Sequence, residues 1–320
     1  MNEAGWFAVL ETSEVRRRPL GVTRLGRELV FWRKADSTLV VQEDICPHRR
    51  TRLSLGSVRD DCIECPFHGF TFDAHGACTR IPAHGDDTSR IPQAMTVRTV
   101  PSREAHGFIW VWGDERAEPS GEPVSWFPEL DGHVYSGFRS SWNTHFSRAV
   151  ENQLDYAHLP FVHRTTIGRF ASSEAEPELI NEPGRVRLRF GGDGKQAGFI
   201  EWREPNVWIN WVGMGFIMVA FAPVDAETTR MYLRFYHRVK VPIVRQLWEW
   251  AMKPMNRLIL NQDRAVVEAQ TPKESRLRIP EVLVPFDRAI VAYRKQRESR
   301  LLSDSPGATS LPVLRPRSSA

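Results

Sequence analysis

The stretch CPHRRTRLSLGSVRDDCIECPFHGF, Cys46 to Phe70, decides how the first third of the chain is read. It holds two short copies of one pattern, Cys46-Pro47-His48 and Cys65-Pro66-Phe67-His68, with 16 residues between His48 and Cys65. Each copy pairs a thiolate with an imidazole on a tight loop, so the two loops offer four soft or borderline metal ligands. A free cysteine is often only a small buried hydrophobe, but the recurrence of both pairs between strands points to a metal. A structural Cys2His2 zinc site uses the same ligand types, usually with the cysteines in one pair and the histidines in another. One of each on each loop suits a two-iron, two-sulfide centre, with two cysteines on one iron and two histidines on the other.

Outward from these loops, residues 1–115 read as short strands separated by turns, an all-β domain. Apolar runs at Leu29–Trp32 and Leu39–Val41 flank a polar ADST and predict a hairpin. Further strands are expected at Ile81, at Met95–Val100 and in GFIWVWGD, residues 107–114. The Pro, Gly, Ser and charged residues of 114–125 read as a connecting segment. A second domain, 116–300, mixes strands and helices, so the fold class is α+β. VWINWVGMGFIMVAFAP, residues 207–223, is short for a membrane span and interrupted by Asn210, Gly213 and Gly215; it reads as two buried strands joined by a glycine turn. RMYLRFYHRVKV alternates, with Met231, Leu233, Phe235, His237 and Val239 on one face. Residues 245–270 have helical spacing interrupted at Pro254, which predicts two helices or a kinked one. The Ser- and Pro-rich 301–320 reads as a mobile tail.

With 320 residues, 41% hydrophobic and 26% charged, the chain can bury a sizeable core over two domains. The net charge of +4 is mild and its basic residues are scattered, which points toward an acidic partner or substrate rather than nucleic acid. The first residues show no charged n-region before an apolar core. The expectation is a cytoplasmic protein whose four cysteines are thiols or ligands rather than disulfides.

A second constellation lies in ENQLDYAHLPFVH, Glu151 to His163. If Val150–Leu159 is helical, Glu151, Asp155 and His158 at i, i+4 and i+7 fall within about 60° of one another. Pro160 then ends the helix, and the chain can turn to bring His163 back toward His158. A solvated helix face with two surface histidines would look similar. Against that, the histidines lie among Leu154, Leu159, Phe161 and Val162, and the upstream loops raise the expectation of an electron acceptor. Two histidines and one carboxylate on one side of an iron leave positions open for oxygen. The third ligand expected is Asp263, in NQDRAVVEAQTP, with Asp287 as the weaker competitor; Glu268 is expected to orient a neighbour.

With these residues in view, the chain resembles the catalytic α subunit of a Rieske non-haem iron oxygenase over residues from about 5 to 295. C-x-H, a 16-residue gap and C-x2-H resemble the Rieske ligand loops, and E-N-x2-D-x2-H-x4-H followed by NQD-x4-E resembles the mononuclear iron motif. The resemblance implies that Cys46 and Cys65 bind one cluster iron and His48 and His68 the other. It implies that His158 and His163 hold a mononuclear Fe(II), and that Asp155 bridges a cluster histidine, His68, of one chain to His158 or His163 of the next. Thr51 and Phe67 stand where high-potential Rieske proteins carry clamping cysteines, and Cys62 and Cys78 read as structural. The second domain is expected to be a helix-grip fold, an antiparallel sheet around a long helix. The small size resembles the homotrimeric group of vanillate and dicamba demethylases, pheophorbide a oxygenase and guanidinium toxin hydroxylases.

What the resemblance implies functionally is an oxygenase fed singly with electrons by a reductase, with or without a ferredoxin. It would hydroxylate or oxidatively demethylate a small aromatic or polycyclic substrate with O2. A ring-dihydroxylating dioxygenase is the alternative, and a pure electron-transfer protein would leave the second constellation unexplained. No G-x-G-x-x-G follows a strand, so NADH or flavin binding is not expected in this chain. Trp202, Trp208, Trp211, Met214, Phe216, Met218 and Phe221 either line an apolar cavity or form sheet core, the latter expected for at least half. His237 could face substrate, though a hydrogen-bonded core histidine is the commoner case.

Overall fold

The structure, a computed structural model, describes residues 3–117, 119, 121–170, 176–191, 198–239 and 242–303. In chain order the strands of the N-terminal part are β1 (Trp6–Glu11), β2 (Leu20–Arg24), β3 (Arg27–Arg33), β4 (Leu39–Glu43), β5 (Ser57–Arg59), β6 (Cys62–Glu64), β7 (Thr71–Phe72), β8 (Cys78–Arg80), β9 (Ser102–Ala105) and β10 (Phe108–Trp112). They form three antiparallel sheets, ordered β1-β10-β9, β2-β3-β4 and β5-β6-β7-β8. The second part holds β11 (Val134–Trp142), α1 (Phe146–Leu154), α2 (Leu159–Val162), β12 (Glu178–Glu182), β13 (Arg185–Phe190), β14 (Gly198–Arg203), β15 (Val207–Trp211), β16 (Phe216–Pro223), β17 (Thr229–His237), α3 (Pro242–Val267) and α4 (Arg288–Ser303). Its strands form one seven-stranded antiparallel sheet, β11-β17-β16-β15-β14-β13-β12. The α+β organisation is as expected. The sheet holds α1 and α4 against β12, β13, β14 and β16, whereas α3 lies on α1 and α2. No helix among the described residues is long and apolar enough to cross a membrane.

Several local expectations change. Ile81 is not in a strand but precedes a 3-10 turn at Pro82–His84, where proline cannot donate to a ladder. Met95–Val100 makes only isolated bridges, Thr96 with Ala77 and Thr99 with Gln42. Pro254 does not split its helix: α3 runs without a break over 26 residues, so the one bond that proline forfeits is outvoted by its neighbours. α4 continues through Ser303, so 301–303 of the expected tail are helical, and 304–320 lie outside the described residues. The hairpin β3–β4 and the pair β15–β16 form as read from the sequence.

β17 shows why the two parts make one body. Its alternation is real, but both faces are buried: Met231 and Phe235 on one, Tyr232, Arg234 and Tyr236 on the other. The second face meets the N-terminal part, and a single apolar core runs through β1, β10 and the large sheet. Val239 lies beyond the strand and is exposed. Asn206, fully buried, accepts from the Ala8 N–H at 3.1 Å and donates to the Ala8 carbonyl at 2.9 Å, beside the β-bulge at Ala8–Leu10. Arg234, also fully buried, donates to Glu11 at 3.1 Å and to the carbonyls of His106 and Gly107 at 2.8 and 2.7 Å. Its guanidinium lies 3.5 Å from the Phe108 ring centroid and 4.3 Å from that of Tyr135.

Removing a buried cation from such a pairing strands the carboxylate and carbonyls it served, at about 3–5 kcal/mol. Arg234→Met should lose that much stability in urea denaturation. Arg189→Met, which breaks the exposed pair with Glu178, should stay within about 0.5 kcal/mol; equal effects would contradict the latching role of Arg234.

Candidate metal centres

The two Cys-Pro loops fold alike. In the first, the Cys46 N–H donates to the Thr51 carbonyl at 2.8 Å and the Arg50 N–H to the Cys46 carbonyl at 2.9 Å. In the second, the Cys65 N–H donates to the Phe70 carbonyl at 2.8 Å and the Gly69 N–H to the Cys65 carbonyl at 3.0 Å. The fourth residue after each cysteine is left-handed, Arg50 at φ 56° and Gly69 at φ 69°. Glycine takes that conformation freely, whereas Arg50 adopts it against its Cβ.

The loops face each other so that like meets like. The two buried thiols interact with each other, and backbone N–H groups of His48 and Arg49 point at the Cys46 sulfur. Burial, with the Cys65 thiol beside it, raises the Cys46 pKa to about 11. The imidazoles of His48 and His68 meet on the exposed side, with ring centroids 4.7 Å apart. Phe70 stacks on His48 at 4.8 Å and Phe67 on His68 at 3.9 Å. Among the described residues, the one group of three or more such ligand atoms lying within 4.8 Å of one another is found elsewhere. The four loop residues therefore do not converge on one point as a zinc ion requires. Thiols paired at one end and imidazoles at the other fit a two-iron cluster. All four cysteines are free. Cys62 and Cys78 sit on β6 and β8, where Thr79 Oγ1 donates to Cys62 Sγ and Cys78 Sγ donates to the Arg80 carbonyl.

The convergent group is His158, His163 and Asp263. The route to it differs from the expected helix. α1 stops at Leu154, and Asp155 takes an extended ψ of 119° as its C-cap. Asp155 Oδ1 accepts the Ala157 N–H at 2.8 Å, a local turn that competes with further helix. Pro160 does not end a helix; it lies in the first turn of α2, where its missing N–H costs nothing. His158 and His163 flank that turn with ring centroids 5.4 Å apart. Their Nε2 atoms lie 3.4 and 2.9 Å from one oxygen, Asp263 Oδ1. That oxygen is buried and has no properly aligned hydrogen bond. Three ligand groups, His158 half-buried and His163 and Asp263 buried, that face one another without satisfying one another fit a shared cation.

Each imidazole is also backed from behind. His163 Nδ1 lies 2.8 Å from Gln262 Oε1, and Asp155 Oδ2 lies 3.6 Å from His158 Nδ1. Gln262 is held in turn by Thr165 and Thr166. The contact with Gln262 fixes the His163 tautomer that turns Nε2 toward a metal, whereas Asp155 faces His158 Nδ1 at ion-pair distance without a hydrogen bond. Burial favours a neutral His158, but Asp155 and Asp263 outweigh it and raise its pKa to about 9. His163 is raised too, burial being outweighed by Asp263 and Gln262. Asp263 is buried, which favours its neutral form, yet the two imidazoles pull its pKa down.

Of the other expected residues, Asp287 accepts the Val284 N–H at the start of α4 and is not part of this group. Glu268 accepts from the Asn143 N–H and from Arg264. Glu151 faces away, into an ion-pair network with Arg148 and Arg294. Gln262 beside Asp263 and the pairing of Glu151 with Arg294, 143 residues away, carry no local signal in the sequence.

A cavity of about 610 Å³ opens beside the three residues. The sheet lends it one face, through Ile200, Trp208, Asn210, Ile217, Leu233 and Phe235. Of the aromatic and methionine residues proposed from sequence, Trp208 and Met214 line it, while Trp202, Phe216, Met218 and Phe221 are core. Trp211 packs on Phe216, and His237 is a buried histidine whose Nδ1 accepts the Val239 N–H.

Comparison with known proteins gives two family matches. A Rieske [2Fe-2S] domain matches residues 5–101, and the vanillate O-demethylase oxygenase C-terminal domain matches 142–203 and 189–302. Protein TIC 55, chloroplastic, of Arabidopsis thaliana is 26% identical over 317 residues, covering 91% of this chain and 58% of the relative. Methylxanthine N1-demethylase NdmA of Pseudomonas putida is 27% identical over 317 residues, covering 91% of this chain and 86% of the relative. A solved structure of a Pseudomonas putida NdmA mutant with caffeine superposes with a TM-score of 0.78 at 25% identity, over 94% of this chain and 91% of that one. The chain spans about half the length of several curated relatives it matches, TIC 55 among them.

The raised His158 has a measurable consequence. A cation bound at Nε2 must displace a proton whenever the pH lies below about 9. The affinity of the site for Co(II), followed by its visible absorption, should rise at least about tenfold per unit between about pH 6 and 8 and level off above 9. A flat profile would show that no proton is displaced there.

Proposed function

The chain belongs to the Rieske non-haem iron oxygenases, and on that premise we propose that it is an oxygenase component that hydroxylates or oxidatively demethylates a small organic substrate. Its electrons would come singly from a reductase, directly or through a ferredoxin. The observation that carries this reading is the meeting of His158, His163 and Asp263 beside a 610 Å³ cavity, in the same chain as the paired thiols and imidazoles. An electron-transfer protein would have no use for the cavity or the second site. When bound, the cluster supplies single electrons and the mononuclear iron activates O2, one oxygen atom going to substrate and the other to water. NdmA, by name an N-demethylase, supports demethylation as an outcome, in which a hydroxylated methyl leaves as formaldehyde.

The residues divide the work. Cys46 and Cys65 would hold the inner iron and His48 and His68 the outer one, where exposed imidazoles can pass an electron onward. His158 and His163 would bind through Nε2, with Asp263 completing one side and leaving the cavity side open to oxygen and substrate. Gln262 would keep His163 in the binding tautomer, and the Asp155 carboxylate would stand behind His158 as its ion-pair partner. Asp155 is partly exposed and His68 is exposed, which supports a homotrimer in which Asp155 links His68 of a neighbouring copy to His158. Cys62 and Cys78, which the cluster does not use, form no disulfide, which supports the cytoplasm as the setting we favour.

Purified protein should be coloured, paramagnetic on reduction, and contain about three irons per chain, two with sulfide. A colourless zinc protein would overturn the reading. Asp155→Asn should keep the spectra of both centres and lose turnover with a supplied reductase; undiminished turnover would rule out the bridging role.

A further inference from the structure

The sheet wall of the cavity is organised in cross-strand rows. One row runs Phe235, Ile217, Asn210, Ile200 and Leu188, each paired with the next across β17, β16, β15, β14 and β13. The first four line the cavity, and Leu188 is buried core. A carboxamide therefore stands between two isoleucines in a row that is otherwise apolar. Strands disfavour asparagine, and an apolar side chain would pack better against these cross-strand neighbours. Nothing in the protein offsets this, because the Asn210 side chain has no hydrogen-bond partner among the described residues. It is half-buried, and its amide atoms are open rather than sealed.

α3 presents a second case. Asn256, Ile259, Leu260 and Asp263 share one helical face and line the same cavity. Asp263 belongs to the group with His158 and His163, but Asn256 lies about 10 Å from it along the helix axis, too far to support a metal ligand. The Asn256 side chain is likewise half-buried, open, and without a partner among the described residues.

Two carboxamides thus open onto one cavity at positions where apolar residues would pack at least as well. A departure from the local rule with no gain inside the protein marks a place where a ligand supplies the missing interaction. Since both amides can be reached, a bound molecule either meets them or strips their water without return. An asparagine donates through its nitrogen and accepts at its oxygen, so a ligand group that carries both an acceptor and a donor satisfies it most fully.

Resting on the oxygenase reading, we infer that the substrate is a ring compound bearing a carboxamide or lactam, and that Asn210 and Asn256 hold its polar edge. The two are specificity residues, and the apolar rows around them take the ring.

Two probes of matched outline separate hydrogen bonding from packing: naphthalene-2-carboxamide, and 2-isopropylnaphthalene, which has no polar atom. In equilibrium dialysis against the full-length holoprotein, Asn210→Leu and Asn256→Leu should each weaken the carboxamide roughly three- to tenfold and leave 2-isopropylnaphthalene within about twofold or tighter. Asn210→Leu should also unfold in urea at a midpoint no lower than that of the unaltered protein, because it completes the apolar row. Carboxamide affinity unchanged in either variant overturns the inference, as does absence of carboxamide binding to the unaltered protein. Equal weakening of both probes overturns it too, since the residues would then act by packing, and a lowered urea midpoint would assign Asn210 to the fold instead. Visible absorption and reduced-state EPR on the same samples keep the two readings apart. Missing cluster signals defeat the oxygenase reading while dialysis still judges the cavity; intact signals without the variant effects defeat the inference alone.

Discussion

The site hangs from one buried ion-pair network. Glu151, 5% exposed, receives Arg294 through both oxygens at 2.6 and 2.9 Å and Arg148 at 3.3 Å. Glu281 closes the set, 2.6 Å from Arg148 and 2.7 Å from Arg294. Burial would favour a neutral Glu281, but the two arginines lower its pKa. Charges out of water hold one arrangement because each alternative leaves one of them unpaired. The arrangement joins α1, α4 and the 280s loop at the last turn of α1. Four residues on, Asp155 leaves the helix, its N–H on the Glu151 carbonyl at 2.9 Å. The direction in which the chain departs toward His158 and His163 is thus set by a carboxylate that touches no metal.

β17 does the corresponding work between the two parts of the chain. Period-two alternation gives it Leu233 and Phe235 for the cavity and Tyr232, Arg234 and Tyr236 for the N-terminal sheets. A strand with one face on each part cannot tilt without disturbing both, so the cavity wall and the seat of the first domain are mechanically one piece. Tyr232 adds to this, donating to Glu14 at 2.8 Å while accepting from Arg24 at 3.1 Å. Burial, with Glu14 beside it and against the pull of Arg24, raises its pKa to about 12, so it stays protonated and keeps donating.

How much of this could be read beforehand depended on the range of the interaction. The cluster loops were legible because ligand types and spacing are local, and the β3–β4 and β15–β16 pairs because alternation and turn residues are local. The expected helix through Asp155 failed at short range: angular spacing placed Asp155 and His158 on one face, but the Asp155 side chain takes the Ala157 N–H and turns the backbone instead. Both geometries bring the same residues together, so the right group followed from the wrong element. Pro160 suggests a helix stop from sequence alone, but it serves as a first-turn residue of α2, a role proline fills equally well. The pairing of Arg294 with Glu151 needs the tertiary structure, since 143 residues separate them, and the sequence leaves Trp208 open between cavity wall and sheet core.

The loop pairing also constrains how charge can move. With thiols inside and imidazoles outside, Cys46 and Cys65 would hold the buried end of a bound cluster and His48 and His68 the end that faces solvent and other molecules. Phe70 and Phe67 stack on those rings and hold their planes without hydrogen bonding to them, leaving the outer nitrogens available to a partner. At the other centre the acceptor side is equally defined, because Asp155 stands behind His158 and is partly open to the outside. Each centre presents one polarised edge and buries the rest. On the proposed reading, transfer between them would depend on which of these surfaces are placed edge to edge.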